Sequence, residues 1–84
     1  MKLRLDTGED AEALSFDGTV LTLRSPRAFA PGSPIRFVAL SEEGERSLEG
    51  RALGSKRIDE QFEVRIRFVN LRKEARELLL RRCR

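Results

Sequence analysis

Ser15 and Asp17 stand two residues apart in Ala-Leu-Ser-Phe-Asp-Gly-Thr-Val-Leu-Thr-Leu, residues 13–23. A hydroxyl and a carboxylate beside a glycine can offer polar contacts to a ligand, or they can bond a turn. As a nucleophile and base the pair is incomplete, and the spacing is that of a turn. The chain has no histidine, which removes histidine-based triads, the commonest general base near neutral pH and the commonest zinc ligand. Asp6, Glu9, Asp10 and Glu12 are dense enough to attract a cation. They lack the Asp-x-Asp-x-Asp-Gly spacing that wraps carboxylates around calcium, and read instead as a solvated hairpin turn. Neither glycine-rich phosphate-binding motif is present. The single cysteine, Cys83, excludes an internal disulfide framework, agrees with a reducing compartment and reads as an incidental thiol. The expectation is a non-enzyme without a metal site.

Whatever surface carries the function must be positioned by one small domain. Of 84 residues, 39 % are apolar; with the glycines counted, the share falls in the range of about 45–50 % expected of globular chains. A chain of this length builds one modest core. Seventeen basic and fourteen acidic residues give a net charge of +3, with the signs interspersed over a well-solvated surface. No apolar run approaches membrane-spanning length, and Met1-Lys2-Leu3-Arg4-Leu5 already alternates, so the expectation is a cytoplasmic protein with neither signal peptide nor membrane insertion.

Period-two alternation predicts six strands, at about 2–5, 11–16, 19–24, 34–41, 47–55 and 61–69. Asp6-Thr7-Gly8 ends the first. Asp17-Gly18 predicts a two-residue type I′ turn with positive φ at both positions. Ala30-Pro31-Gly32-Ser33 predicts a turn in which proline fixes φ and glycine takes the positive one. Glu42 to Glu45 reads as an acidic loop, and Lys56 to Glu60 as a further turn. Phe62, Val64, Ile66 and Phe68 alternate strictly with charged residues, one face core and the other wet. After Asn70, read as a helix N-cap, the period lengthens to about 3.6 through Leu71, Ala75, Leu78, Leu79 and Arg82, giving a basic helix over about 71–82. Leu80 falls off that stripe. Hairpin-spaced strands followed by one helix predict a mainly β fold, a small six-stranded antiparallel barrel with a C-terminal α-helix, closed because closure removes edge strands.

Four stretches in this order resemble the PilZ domain, a small bacterial barrel that serves as a cyclic-di-GMP receptor. Ser15-Phe16-Asp17-Gly18 with Val20-Leu21-Thr22-Leu23 is similar to the family's Asp/Asn-x-Ser-x-x-Gly motif and the apolar strand after it. Phe29 to Phe37 resembles its Pro-Gly entry into the next strand. Leu48-Glu49-Gly50-Arg51-Ala52 resembles its Glu-Gly-x-Val strand, and Arg65 to Leu71 its Gly-Val-x-Phe-x-x-Leu ending. The resemblance covers the chain from about Glu12. Two parts of the family's nucleotide site depart from the pattern. Ala13 stands where an aspartate or asparagine opens the motif. The Arg-x-x-x-Arg switch, placed ahead of the family's first strand, has no counterpart around Lys2 and Arg4.

The resemblance implies a residual nucleotide site at Ser15, Gly18, Arg51 and Arg65. Arg24, Arg51, Arg65 and Arg67 are the arginines available to replace the lost switch. The simpler reading is that they pair with Glu49 and Glu63, with Arg51 and Arg65 cross-strand neighbours. The expected function is that of a non-catalytic adaptor acting by protein–protein contact in second-messenger signalling, in motility or exopolysaccharide pathways. Cyclic-di-GMP would be at most a weak ligand, with no other cofactor, and the chain a monomer or dimer. The partner surface is expected either at the elbow with Asp17 or on the helix with Arg72, Arg76, Leu80 and Arg81. The alternatives are a working cyclic-di-GMP receptor that takes arginines from a partner or fused segment, and a nucleic-acid binder. Arg72 to Arg84 holds six basic and two acidic residues, but no Tyr or Trp is available for base stacking, and nucleic acid ranks third.

Overall fold

Residues that alternate along each strand divide between the inside and the outside of a barrel. The computed structural model describes residues 1–42 and 44–83. Its elements are β1 (Lys2–Leu5), β2 (Asp10–Phe16), β3 (Val20–Ser25), β4 (Pro34–Ser41), β5 (Gly44–Ile58), β6 (Gln61–Phe68) and α1 (Lys73–Arg82). The strands close in the order β1-β2-β3-β6-β5-β4, every pairing antiparallel. Closure is made by β1 against β4, with Leu3 opposite Ala39 and Leu5 opposite Phe37. The mainly β class, the closed six-stranded barrel and the C-terminal helix read from the sequence are the fold the chain adopts.

Leu3, Leu5, Leu21, Leu23, Ile35, Phe37, Val64 and Ile66 fill the interior, each large side chain contributing about 1.5–3 kcal/mol on leaving water. The helix adds Ala75 and Leu79, and Cys83 packs just past its end. Phe68 stands edge-on to Phe16 at 5.8 Å and tilted against Phe37 at 6.0 Å, contacts worth about 0.5–1.5 kcal/mol each beyond burial.

β5 carries the bend. It pairs with β4 over Gly44 to Arg51 and with β6 from Gly50 onward, so Gly50 faces Ile35 on one side and Phe68 on the other. A Cβ at Gly50 would lie 2.6 Å from the backbone oxygen of Arg67 and 2.8 Å from Ile66 Cγ2. Only glycine fits where the strand changes partners.

Several local expectations are corrected. The β2–β3 connection is a three-residue loop, Asp17 to Thr19, and not a type I′ turn: Gly18 alone takes positive φ, at +100°. The Asp17 carboxylate accepts from the amides of Thr19 and Val20 at 2.8 and 2.7 Å, which holds the loop in another shape. β5 runs over 44–58 rather than 47–55, and the turn after it is confined to Asp59-Glu60 because Asp59 adopts a φ of 57°. Glu43 of the expected acidic loop and Arg84 of the basic C-terminal segment lie outside the described residues. Asn70 is not the helix cap. It takes a φ of 55°, a conformation asparagine tolerates, and the helix starts two residues later than expected, with Arg72 in the capping position and no side-chain cap.

Two strands contain bulges that alternation alone does not reveal. In β2 the register shifts between Ala13 and Ser15, and in β5 between Ala52 and Gly54. The extra residues are Leu14 and Leu53, each 37 % exposed. A bulge re-aims its side chains, and here it turns a leucine outward from each strand.

Candidate functional site

At the elbow the Asp17 carboxylate is consumed by the chain itself. Asp17 bonds its own loop as above, and these amides hold its carboxyl below the ordinary carboxylate range, Val20 contributing most and Thr19 next. The Gly18 carbonyl accepts a hydrogen bond from Arg76 Nη1 of α1. The Phe16 amide, one residue before the loop, donates to the Cys83 carbonyl at 2.5 Å. The elbow and the helix, alternatives in the sequence, are therefore joined in space at Gly18 and Arg76. Thr19, Arg67, Asn70 and Leu71 complete a shallow recess of about 570 Å³ around them. Burial raises the Cys83 thiol's pKa, so at neutral pH it is a protonated, shielded group.

Ser15 lies outward on β2, where the bulge sets it opposite Thr22, and Thr22 in turn faces Arg65. The expected site residues Ser15 and Arg65 thus share one row across three strands. Adjacent strands lie about 4.7–4.9 Å apart, so the row spans about 10 Å. Ala13 does not share that face: its side chain is buried in the core, 5 % exposed.

The arginines are arranged differently from expectation. Arg51 faces Arg67, not Arg65; the β5 bulge at Leu53 then sets Arg65 opposite Gly54, with Thr22 on its other side. Glu49 pairs with Arg36 at 3.4 Å and Arg24 with Glu12 at 2.6 Å. Arg51 Nη1 donates to the Gly32 carbonyl at 3.0 Å. Among the described residues no ion pair joins Arg51, Arg65, Arg67 or Glu63. Sequence reasoning did not single out Arg67, Leu53 and Val69 as a set. The signal that pointed to them was the strict β6 alternation, which fixes Arg67 outward, but the register that brings Arg51 to it was not readable.

Arg72 borders a separate recess with Arg46, Ser47, Asn70 and Leu71. Leu80 and Arg81 are exposed farther along the helix. Three of the four acids around the first turn are matched by bases: Glu9 with Arg27 at 2.6 Å, Asp10 with Lys2 at 3.9 Å and Glu12 with Arg24. Among the described residues no three metal-ligating side chains converge, and no helix is long and apolar enough to cross a membrane.

Fold and site together define a class, a small closed antiparallel barrel whose outer wall carries a polar row and an arginine pair. Compared with protein families, curated sequences and solved structures, the chain matches none.

Proposed function

We propose that the chain is a non-catalytic regulatory module of the PilZ type, acting by contact with another protein in bacterial second-messenger signalling, with cyclic-di-GMP binding lost or weak. The observation that supports this most directly is the self-bonded elbow. Two of the residues that resemble a nucleotide motif spend acceptors within the chain: the Asp17 carboxylate on the amides of Thr19 and Val20, and the Gly18 carbonyl on Arg76. At the position that opens the motif, Ala13 packs inward and presents no polar group. Hydrogen bonds to charged partners contribute about 1.5–3 kcal/mol each, and every 1.4 kcal/mol is tenfold in affinity. A nucleotide deprived of the motif's first side chain and facing an occupied Gly18 is expected to bind at millimolar concentration or not at all.

The test is an NMR titration of the labelled chain with cyclic-di-GMP up to millimolar concentration. Amides of Ser15, Gly18 and Arg65 are expected to stay in place. Saturating shifts there in the micromolar range would overturn the reading. They would favour a working receptor supplied with arginines by another chain or a fused segment, a second reading supported by the outward row Ser15, Thr22 and Arg65.

A further inference from the structure

Beside the elbow recess, across Arg67 and Phe68, lies a second groove of about 360 Å³, bordered by Pro31, Gly32, Arg51, Leu53, Arg67 and Val69. We propose that this groove docks an acidic, aliphatic peptide segment of a partner protein, carboxylates on Arg51 and Arg67 and an aliphatic side chain against Leu53 and Val69. The proposal rests on the adaptor reading and names the surface and partner chemistry for it.

Charge comes first. Arg51 and Arg67 are directly opposite each other on β5 and β6, an arrangement that destabilises a sheet unless something offsets it. Three arginines elsewhere on the barrel have their carboxylates, Arg24 with Glu12, Arg27 with Glu9 and Arg36 with Glu49, whereas Arg65 has none among the described residues. Neither Arg51 nor Arg67 has one among the described residues. Arg51 is steadied by the Gly32 carbonyl at 3.0 Å, a neutral acceptor that leaves its charge uncompensated. Two positioned guanidinium groups are a fit for carboxylates.

The apolar part is equally placed. Leu53 is turned outward by the β5 bulge, and Val69, just past the end of β6, is 49 % exposed. The opposite wall is Pro31-Gly32, fixed to β5 by hydrogen bonds from Gly32 N to Ala52 O at 2.7 Å and from Ala52 N to Ser33 O at 2.9 Å. An apolar strip with a charged rim is the pattern of a protein-contact surface. A nucleic acid fits it less well. The exposed strip is aliphatic, the chain has no Tyr or Trp, and Phe68 is already stacked edge-on against Phe16, which leaves no flat platform for bases.

The experiment uses the whole labelled chain and a fluorescein-tagged peptide, Asp-Glu-Leu-Leu-Glu-Asp with Gly-Ser flanks. Two control peptides replace its leucines with serine or its acids with lysine, and oligothymidylate serves as the nucleic-acid control. The expected result is saturable binding of the first peptide, with amide shifts confined to 31–33, 51–54 and 67–69. Arg67→Glu and Leu53→Ser should each weaken it about tenfold or more, while Arg57→Glu, the same charge change at the β5–β6 hairpin tip, should leave it within about twofold. Absence of binding at millimolar peptide would overturn the proposal. So would equal binding of the serine peptide or of oligothymidylate, or equal losses from Arg57→Glu and Arg67→Glu. Cyclic-di-GMP titrated into the same sample tests the proposed function separately, because its failure appears as shifts at Ser15 and Gly18, which are not among the residues that border the groove.

Discussion

The elbow at Gly18 and the groove at Arg67 are neighbours on one wall, with Val20 at the end of the elbow loop directly opposite Arg67, yet they are bonded in opposite ways. At the elbow three polar groups have partners within the chain: the Asp17 carboxylate takes two amides, the Gly18 carbonyl takes Arg76, and the Phe16 amide takes the Cys83 carbonyl. At the groove two arginines face each other with no carboxylate among the described residues, beside leucine and valine side chains held in water. The difference teaches that residue type alone is a poor guide to where a small barrel binds. Polar residues in a turn are mostly needed by the turn. Charges that the fold brings together and leaves uncompensated are the ones that call for a partner.

The strongest attempt to break this comparison is to restore the elbow's missing polar group. Ala13→Asp is expected to fail as a repair, because the side chain at position 13 points into the core. An unpaired buried carboxylate costs about 3–5 kcal/mol, a large fraction of the stability of a domain this small. The check is the urea midpoint followed by circular dichroism. A stable Ala13→Asp variant that binds cyclic-di-GMP would show that the elbow had lost only one side chain.

The groove depends in turn on Gly50, which lets β5 pass the Arg67 carbonyl at a separation no Cβ permits. Gly50→Ala is expected to cost about 1–3 kcal/mol by overpacking, lowering the melting temperature by about 4–8 °C per kcal/mol. The amides of Arg67 to Val69 should shift more than those of Asp17 to Val20. Arg76→Ala, which removes the hydrogen bond onto Gly18, is a smaller change. About 0.5–1.5 kcal/mol is the usual net contribution of one such bond, with an exposed one at the lower end, and the shifts should reverse in place: elbow amides move and groove amides stay.

How much of this was legible depended on whether the information was local. The inward alternation of Val64 and Ile66, the Pro31-Gly32 turn and the basic helix were readable because each is written within a few consecutive residues. The bulges at Leu14 and Leu53 were not, since a bulge preserves composition and appears only when a strand is laid against its partner. Through the β5 bulge, one unpaired residue brings Arg51 opposite Arg67, where unbroken pairing from the β5–β6 hairpin would have brought Ala52. Asn70 misled for a different reason. Its type suits a helix cap and equally suits positive φ, and the strand end claimed it for the latter. Ser15, Gly18 and Arg76 were each singled out, but the contact that joins two of them spans 58 positions, beyond any local pattern.

The mildest test perturbs the elbow by pH. The amides of Val20 and Thr19 hydrogen-bond the ionised Asp17 carboxylate and hold its pKa below the ordinary value, which is about 3.9 in an unfolded chain. A carboxyl depressed by folding stabilises the fold in full above its unfolded pKa, and that contribution fades as pH falls through the lower, folded value. Following amide proton shifts by NMR from neutral pH downward, Thr19 and Val20 should titrate together with a midpoint below that of an unfolded aspartate. The amides of Arg51 and Arg67, with no carboxylate bonded to either side chain among the described residues, should remain flat over the same range. In Asp17→Asn the joint titration should vanish while the groove stays unchanged. A midpoint at or above the unfolded value would mean that the loop amides do not hold the carboxylate in solution. The elbow's groups would then be free for a ligand, and the contrast between the two regions would collapse.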